Sequence, residues 1–329
     1  MAGLLKLYIP LVIWIGLGIG AGRFLPERIP RAIGSFLFWI GVPFSIAVFI
    51  RQAAIAGSVW VAAVVSWGAA LLGGGLALGW LWWQSRQAVR ADNDKGGDSV
   101  RCHGGWTGPA QGSLINAAAL GNTGYLGYPI SLLLVGSDYF AWAVLYDTLG
   151  STLISYGLGV ALAAHFGQSV PLPPLQRLRR IVRALLQNPA LWSFGSGLMT
   201  RAIALPVLFE TIAQAIAWAV IALSLLLLGM RLSQLSMRSF RGRVSPVLVS
   251  LSIKMIIVPL LVGWGLTITG FDSAPRLVMV LQAGMPPAFA TLIIAEAYDL
   301  AVDLTVTALA LGTAFVLVTL PLWLLLFPV

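Results

Sequence analysis

The chain has 329 residues, of which 59% are hydrophobic and only 9% charged, and its mean hydropathy is +0.91. A soluble globular domain carries about a quarter charged residues, so the composition excludes one and points to an all-α polytopic membrane protein. The net charge of +9 is what basic loops beside membrane helices require and does not imply nucleic acid.

In chain order, ten apolar segments are predicted to cross the bilayer: 4–22, 31–50, 56–83, 113–136, 139–165, 188–205, 210–230, 244–268, 276–298 and 304–327. At about 1.5 Å per residue each is long enough, or nearly so, for the hydrocarbon core. Leu4–Gly22 carries Pro10 and lacks a small-x-small cleavage site, so it reads as a first span and not as a signal peptide. The third segment ends in Trp80-Leu81-Trp82-Trp83, an aromatic cluster suited to the headgroup level. The connections alternate sides, and 15 Lys and Arg residues fall on one side against 4 on the other. By the positive-inside rule, loops 84–112 and 166–187 are cytoplasmic and both termini extracytoplasmic, for a chain in the cell (inner or plasma) membrane. Within 171–187, Arg177, Arg180 and Arg183 recur at helical spacing, as expected of an amphipathic helix on anionic lipids. Cys102 is the one cysteine, which excludes an internal disulfide. Beside His103 it makes too small a set for a metal, and no metal or other cofactor is expected.

The first span, "PLVIWIGLGIGAGRFLP", resembles the sixth, "PALWSFGSGLMTRAIALP". Each opens on proline, has glycines two apart, contains an arginine and closes on Leu-Pro. Five spans per half make the second half enter from the opposite side, so a repeat must be inverted. The expected division is residues 1–165, a linker 166–187, and 188–329. Inverted repeats characterise secondary transporters, whose sites lie at the midplane where interrupted helices meet.

Two segments carry such interruptions, each the fourth of its half. One has Gly121, Asn122, Thr123, Gly124, Gly127 and Pro129; the other has Gly284, Met285, Pro286, Pro287 and Ala288. Consecutive prolines remove two backbone donors and disfavour helix before them. Asn122 and Pro286 lie nine or ten residues into their segments, roughly 15 Å deep. Irregular backbone there survives only inside protein or along a wet cavity, and opened helix N-termini favour an anion. A glycine-rich packing face with a proline kink is the alternative reading of either segment alone. Asp147 and Lys254 lie at similar depth, where a charge costs about 2.5–3.5 kcal/mol or more. Asp147 is the candidate proton relay. Lys254 is expected to attract a carboxylate or pair with Asp147. Gln282, just before the second interruption, is a candidate substrate hydrogen-bond partner.

The stretches "NAAALGNTGYLGYPI", "QNPALWSFGSGL", "ALSLLLLGMRL", "SIKMIIVPLL" and "AGMPPAFATLIIAEAYDL" resemble, in order, the auxin efflux carrier family of permeases, within the superfamily that includes bile-acid and arsenite transporters. The resemblance implies ten helices in two inverted five-helix repeats, with the fourth and ninth helices broken and crossing. It also implies an elevator-type carrier with scaffold and transport domains, often a homodimer, moving a small organic anion such as a mono- or dicarboxylate. The crossing maps to Asn122 with Pro129 and to Met285 with Pro286. Plant carriers place Pro-Asn at both crossings, whereas Asn122 follows glycine and the second crossing has no asparagine, a departure that bears on auxin as substrate and not on the fold.

Other classes fit less well. The Tyr-Asp of "LYDTLGS" and "EAYDLAVD" matches intramembrane aspartyl proteases, but these also need Gly-x-Gly-Asp, which is absent, so no enzyme is expected. A channel or membrane receptor is the alternative outside carriers. Within them, proton coupling through Asp147, sodium coupling around the breaks and uniport all remain open.

Overall fold

The computed structural model describes residues 2–26, 28–53, 57–93, 106–167, 175–176, 179, 182–183, 186–187, 189–233 and 244–329. Cys102, His103, Arg177 and Arg180 lie outside the described residues. Twelve labels suffice for the helices used below. They are α1 (Ala2–Phe24), α2 (Arg28–Gln52), α3 (Val61–Asn93), α4 (Gly108–Ala119), α5 (Tyr128–Leu134), α6 (Ser137–Phe166), α7 (Pro189–Thr200), α8 (Val207–Ser233), α9 (Val244–Ile268), α10 (Ser273–Ala283), α11 (Ala290–Ala297) and α12 (Val302–Leu326). Among the described residues an isolated bridge is the one β feature, and six helices are long and apolar enough to cross a membrane: α2, α3, α6, α8, α9 and α12.

Several boundaries differ from the sequence expectation by five residues or more, and two of them have a plain physical cause. Helix α3 continues through Asn93 instead of ending at 83, with Arg86 stacked 3.7 Å over Trp82. Polar residues carry a helix onward once its apolar part has crossed, because water then takes the exposed side chains. Helix α7 stops at Thr200 instead of 205. Arg51 of α2 donates to the carbonyls of Thr200 and Ile203, the latter at 2.8 Å, and lies 3.5 Å from Glu210. A cation that takes the orphan carbonyls of a helix C-terminus ends the helix favourably.

The helices sort into two packed groups. Helices α1, α2, α7 and α8 lie against one another, and α3–α6 with α9–α12 form the second group. In the first, α1 and α8 approach backbone to backbone: a Cβ at Gly229 would stand 2.8 Å from the Gly18 Cα. Small residues permit such approach in membranes, where dispersion must replace the hydrophobic effect between helices. Gly229→Ala is therefore expected to destabilise the protein by about 1–3 kcal/mol through overpacking, read as a lower unfolding temperature in detergent.

Among the described residues, five π-helical turns interrupt the α-helical winding: Leu37–Gly41 in α2, Thr123–Gly127 entering α5, Tyr146–Ser151 and Ser155–Gly159 in α6, and Ile253–Ile257 in α9. Such turns insert an extra residue, rotate the side chains that follow, and concentrate at functional sites.

Candidate functional site

Helix α4 ends at Ala119, and Leu120 is extended at φ −99°, ψ 119°. Helix α10 ends at Ala283. The two interruptions then bond to each other. The Asn122 N–H donates to the Pro286 carbonyl at 2.7 Å, the Ala288 N–H donates to the Leu120 carbonyl at 3.0 Å, and Gly121 faces Pro287 in an antiparallel bridge. Backbone groups freed from a helix need new hydrogen-bond partners, and here each segment supplies some of those the other lacks. The pair is held from behind by α12. A Cβ at Gly312 would lie 2.7 Å from the Pro287 Cδ and 3.1 Å from the Pro286 Cβ, so only glycine lets α12 support the double proline this closely.

A cavity of about 590 Å³ opens beside the interruptions, between the two helix groups. Gly121, Asn122, Thr123, Gly124 and Asp147 line it. Pro129, Gln282, Gly284, Met285, Pro286, Pro287 and Lys254 do not; the second interruption reaches the wall through Ala288, Phe289 and Ala290. Residues 284–287 turn inward: Met285 is fully buried, and Gly284 abuts the indole nitrogen of Trp323. Gln282 is also fully buried, donating to the Ser131 hydroxyl at 3.3 Å, with its amide oxygen unpartnered against Gly127. Pro129 sits buried in the first turn of α5.

The two charges do not meet. Asp147 lies against Gly124 and accepts hydrogen bonds from the Thr123 hydroxyl and, at 2.8 Å, from the Tyr128 phenol. Lys254 is buried against Gly121, its ammonium 3.5 Å from the Ala119 carbonyl. The expected Lys254–Asp147 pair is thus corrected, since each charge packs on a different glycine of the same interruption. The ammonium instead stands at the C-terminal end of α4, the negative end of that helix dipole. Asn122 is buried at the cavity wall, and its side-chain amide has no hydrogen-bond partner among the described residues.

Sequence reasoning missed the aromatic wall. Phe38, Trp39, Tyr125, Tyr156 and Phe289 all line the cavity. Of these, all but Phe289 sit in π turns, as do Thr123, Gly124, Asp147, Ser151 and Ser155. A periodicity of 3.6 cannot place residues beyond an inserted turn, so Phe38 and Tyr156 carry no signal. Tyr125 and Tyr128 did carry one, as phenols within the glycine-rich stretch itself.

The sequence profile of the membrane transport protein family matches residues 108–324, which include both interruptions, Asp147 and Lys254. An uncharacterized transporter of Methanothermobacter thermautotrophicus is 31% identical over 208 residues. That alignment covers 63% of this chain and 65% of the relative, so the chain spans somewhat less than two thirds of the relative's length. An uncharacterized transporter of Methanocaldococcus jannaschii is 25% identical over 223 residues, covering 64% of this chain and 67% of the relative. The chain is therefore a multi-pass membrane protein, and it belongs to the membrane transport protein family, the auxin efflux carrier permeases.

Proposed function

We propose that the chain is a proton-linked secondary carrier for a small organic anion, with ten spans in two inverted five-helix repeats. In this reading α4–α5 and α10–α11 are the broken fourth and ninth spans, residues 1–165 and 188–329 are the repeats, and 166–187 link them. Packing supports the repeat. Helix α1 lies on α8 as α7 lies on α2, and α3 lies on α6 as α9 lies on α12. Within each pair, exchanging the halves turns one contact into the other, as a two-fold repeat requires.

The first helix group is then the scaffold and the second the moving body that carries both interruptions, as in an elevator. Arg183 and Gln187, from the stretch that the charge bias places in the cytoplasm, stand at the cavity wall. We read this conformation as open to the cytoplasm. Anionic lipids at that face and a homodimer belong to the same proposal.

One observation carries the reading: two interruptions bonded to each other beside the cavity, with Asn122 on its wall and the Asn122 amide without a hydrogen-bond partner among the described residues. Proton coupling is favoured over sodium because Asp147 is a carboxylate on that wall, held by two hydroxyl donors. The test is thermal unfolding of purified protein against mono- and dicarboxylates, amines and neutral analogues. A ligand at 100 times its Kd stabilises the native state by about 2.7 kcal/mol. Stabilisation by one acid class, weakened in Asn122→Ala, is the expected result. Stabilisation by amines or neutral compounds alone would remove the anion assignment and leave the family.

A further inference from the structure

The cavity's aromatic wall continues into a cation. Phe38 of α2 stacks on Tyr125 at 6.2 Å between ring centroids, Tyr125 meets Phe289 edge-on at 6.5 Å, and the guanidinium of Arg231 lies 4.0 Å over the Phe289 ring. The two helix groups contribute two each: Phe38 and Arg231, from the first, stand at the ends of the stack, and Tyr125 and Phe289, from the second, stand between them. Arg231 is half-buried near the end of α8, and Gly34 of α2 leaves the space its terminal nitrogen fills, 2.8 Å from where a Cβ would stand. Among the described residues no carboxylate pairs with this guanidinium and no carbonyl accepts from it; it rests on the Phe289 ring, with the Tyr125 phenol near enough to interact with it electrostatically.

A π face answers a cation only in part, since it supplies a quadrupole and no full negative charge. A carboxylate supplies both charge and two acceptors matched to the guanidinium fork. An arginine parked on a ring is therefore a cation whose better partner is missing. Phe289 lines the cavity on one side and carries Arg231 on another, so this charge stands one ring away from the space where Asn122 and Thr123 wait.

We infer that Arg231 is the specificity-determining cation of the carrier and that Phe289 is the shutter that covers it. A carboxylate entering the cavity draws the guanidinium off the ring and pairs with it. Phe289 directly follows the second interruption, so the same exchange releases that interruption from α8 and couples recognition of the anion to movement of one helix group past the other. The inference rests on the organic-anion reading above.

The test compares binding of benzoate with benzamide, and of succinate with succinamide, by ligand-dependent unfolding and by uptake in proteoliposomes. Wild type is expected to favour each acid over its amide. Arg231→Gln, shorter but polar and neutral, is expected to lose that preference, with KM for the acid raised at least about tenfold, the size of one lost charge-assisted contact. Arg231→Lys keeps the charge without the planar fork and is expected to restore the preference in part. Phe289→Leu removes the ring but not the charge, and is expected to keep the preference and lower the KM for the acid. A wild-type preference that survives intact in Arg231→Gln would overturn the inference while leaving the anion reading in place. So would equal loss in Arg231→Gln and Phe289→Leu with KM unchanged, which marks a purely structural latch. Wild type that binds the amides and neither acid would overturn both. Unfolding without ligand identifies any variant that fails to fold, and Arg231→Lys then carries the comparison.

Discussion

Asp147→Asn is expected to reduce uptake driven by a pH gradient to the level of empty vesicles, while the protein still folds and still binds its substrate. The amide has nearly the shape of the carboxylate it replaces. Its oxygen can still accept from one of the two hydroxyls, Thr123 or Tyr128, that now donate to Asp147. The NH2 group meets the other hydroxyl, which must turn and accept. That exchange of one contact changes stability by about 0.5–1.5 kcal/mol, too little to unfold the helix group. An amide cannot take up and release a proton, so a carrier that moves its proton on this side chain loses the coupling. Counterflow, which needs no proton gradient, should persist. Proteoliposomes with an imposed pH step separate the two, and pH-driven uptake at the wild-type rate in Asp147→Asn would remove the residue from the coupling path.

Gly312→Ala is the second large effect, and its sign is the informative part. Gly312 lies in the middle of α12, where alanine is favoured over glycine by about 1 kcal/mol on helix propensity alone. Against this, the new Cβ would stand 2.7 Å from the Pro287 Cδ and 3.1 Å from both the Pro286 Cβ and the Leu251 Cδ2. The two proline rings cannot rotate away as a flexible side chain would, so the double proline or α12 must move. Overpacking of this kind costs about 1–3 kcal/mol, which outweighs the propensity gain. The displaced Pro286 carbonyl is the acceptor for the Asn122 N–H, so substrate binding should weaken together with stability. Gly75 in α3, where a Cβ would meet nothing within 4 Å, is the control, and there alanine should be neutral or stabilising. Equal unfolding temperatures for the two alanine variants would show that α12 does not brace the interruption.

These two residues were not equally legible. Asp147 stood out in the sequence because an acid among apolar residues has few structural uses at that depth. Gly312 stood in "ALALGTAF" among 36 glycines, and nothing local distinguished it. Its role comes from a chain segment some 25 residues earlier that folds back onto it. The same holds for Arg231, which counted in the sequence as one more basic residue near a membrane boundary. Its stacking on Phe289 depends on two helices from different packed groups.

Composition and charge by themselves determined the membrane class, and the ordered motifs determined the family. The glycine and proline clusters at 121–129 and 284–287 also marked where regular helix is unfavourable. These are local properties: the cost of a charge in lipid, and of a missing donor or a ring clash in a helix, is set by the residue and its immediate neighbours. Only the tertiary structure decided which atoms face the cavity. It turned 288–290 outward in place of 284–287, set Lys254 and Asp147 against different glycines, and brought four aromatic residues to the wall through π turns. Those choices are made by contacts between segments far apart in the chain. An inserted helical turn, in particular, rotates every side chain after it while leaving the hydrophobic content of the span unchanged.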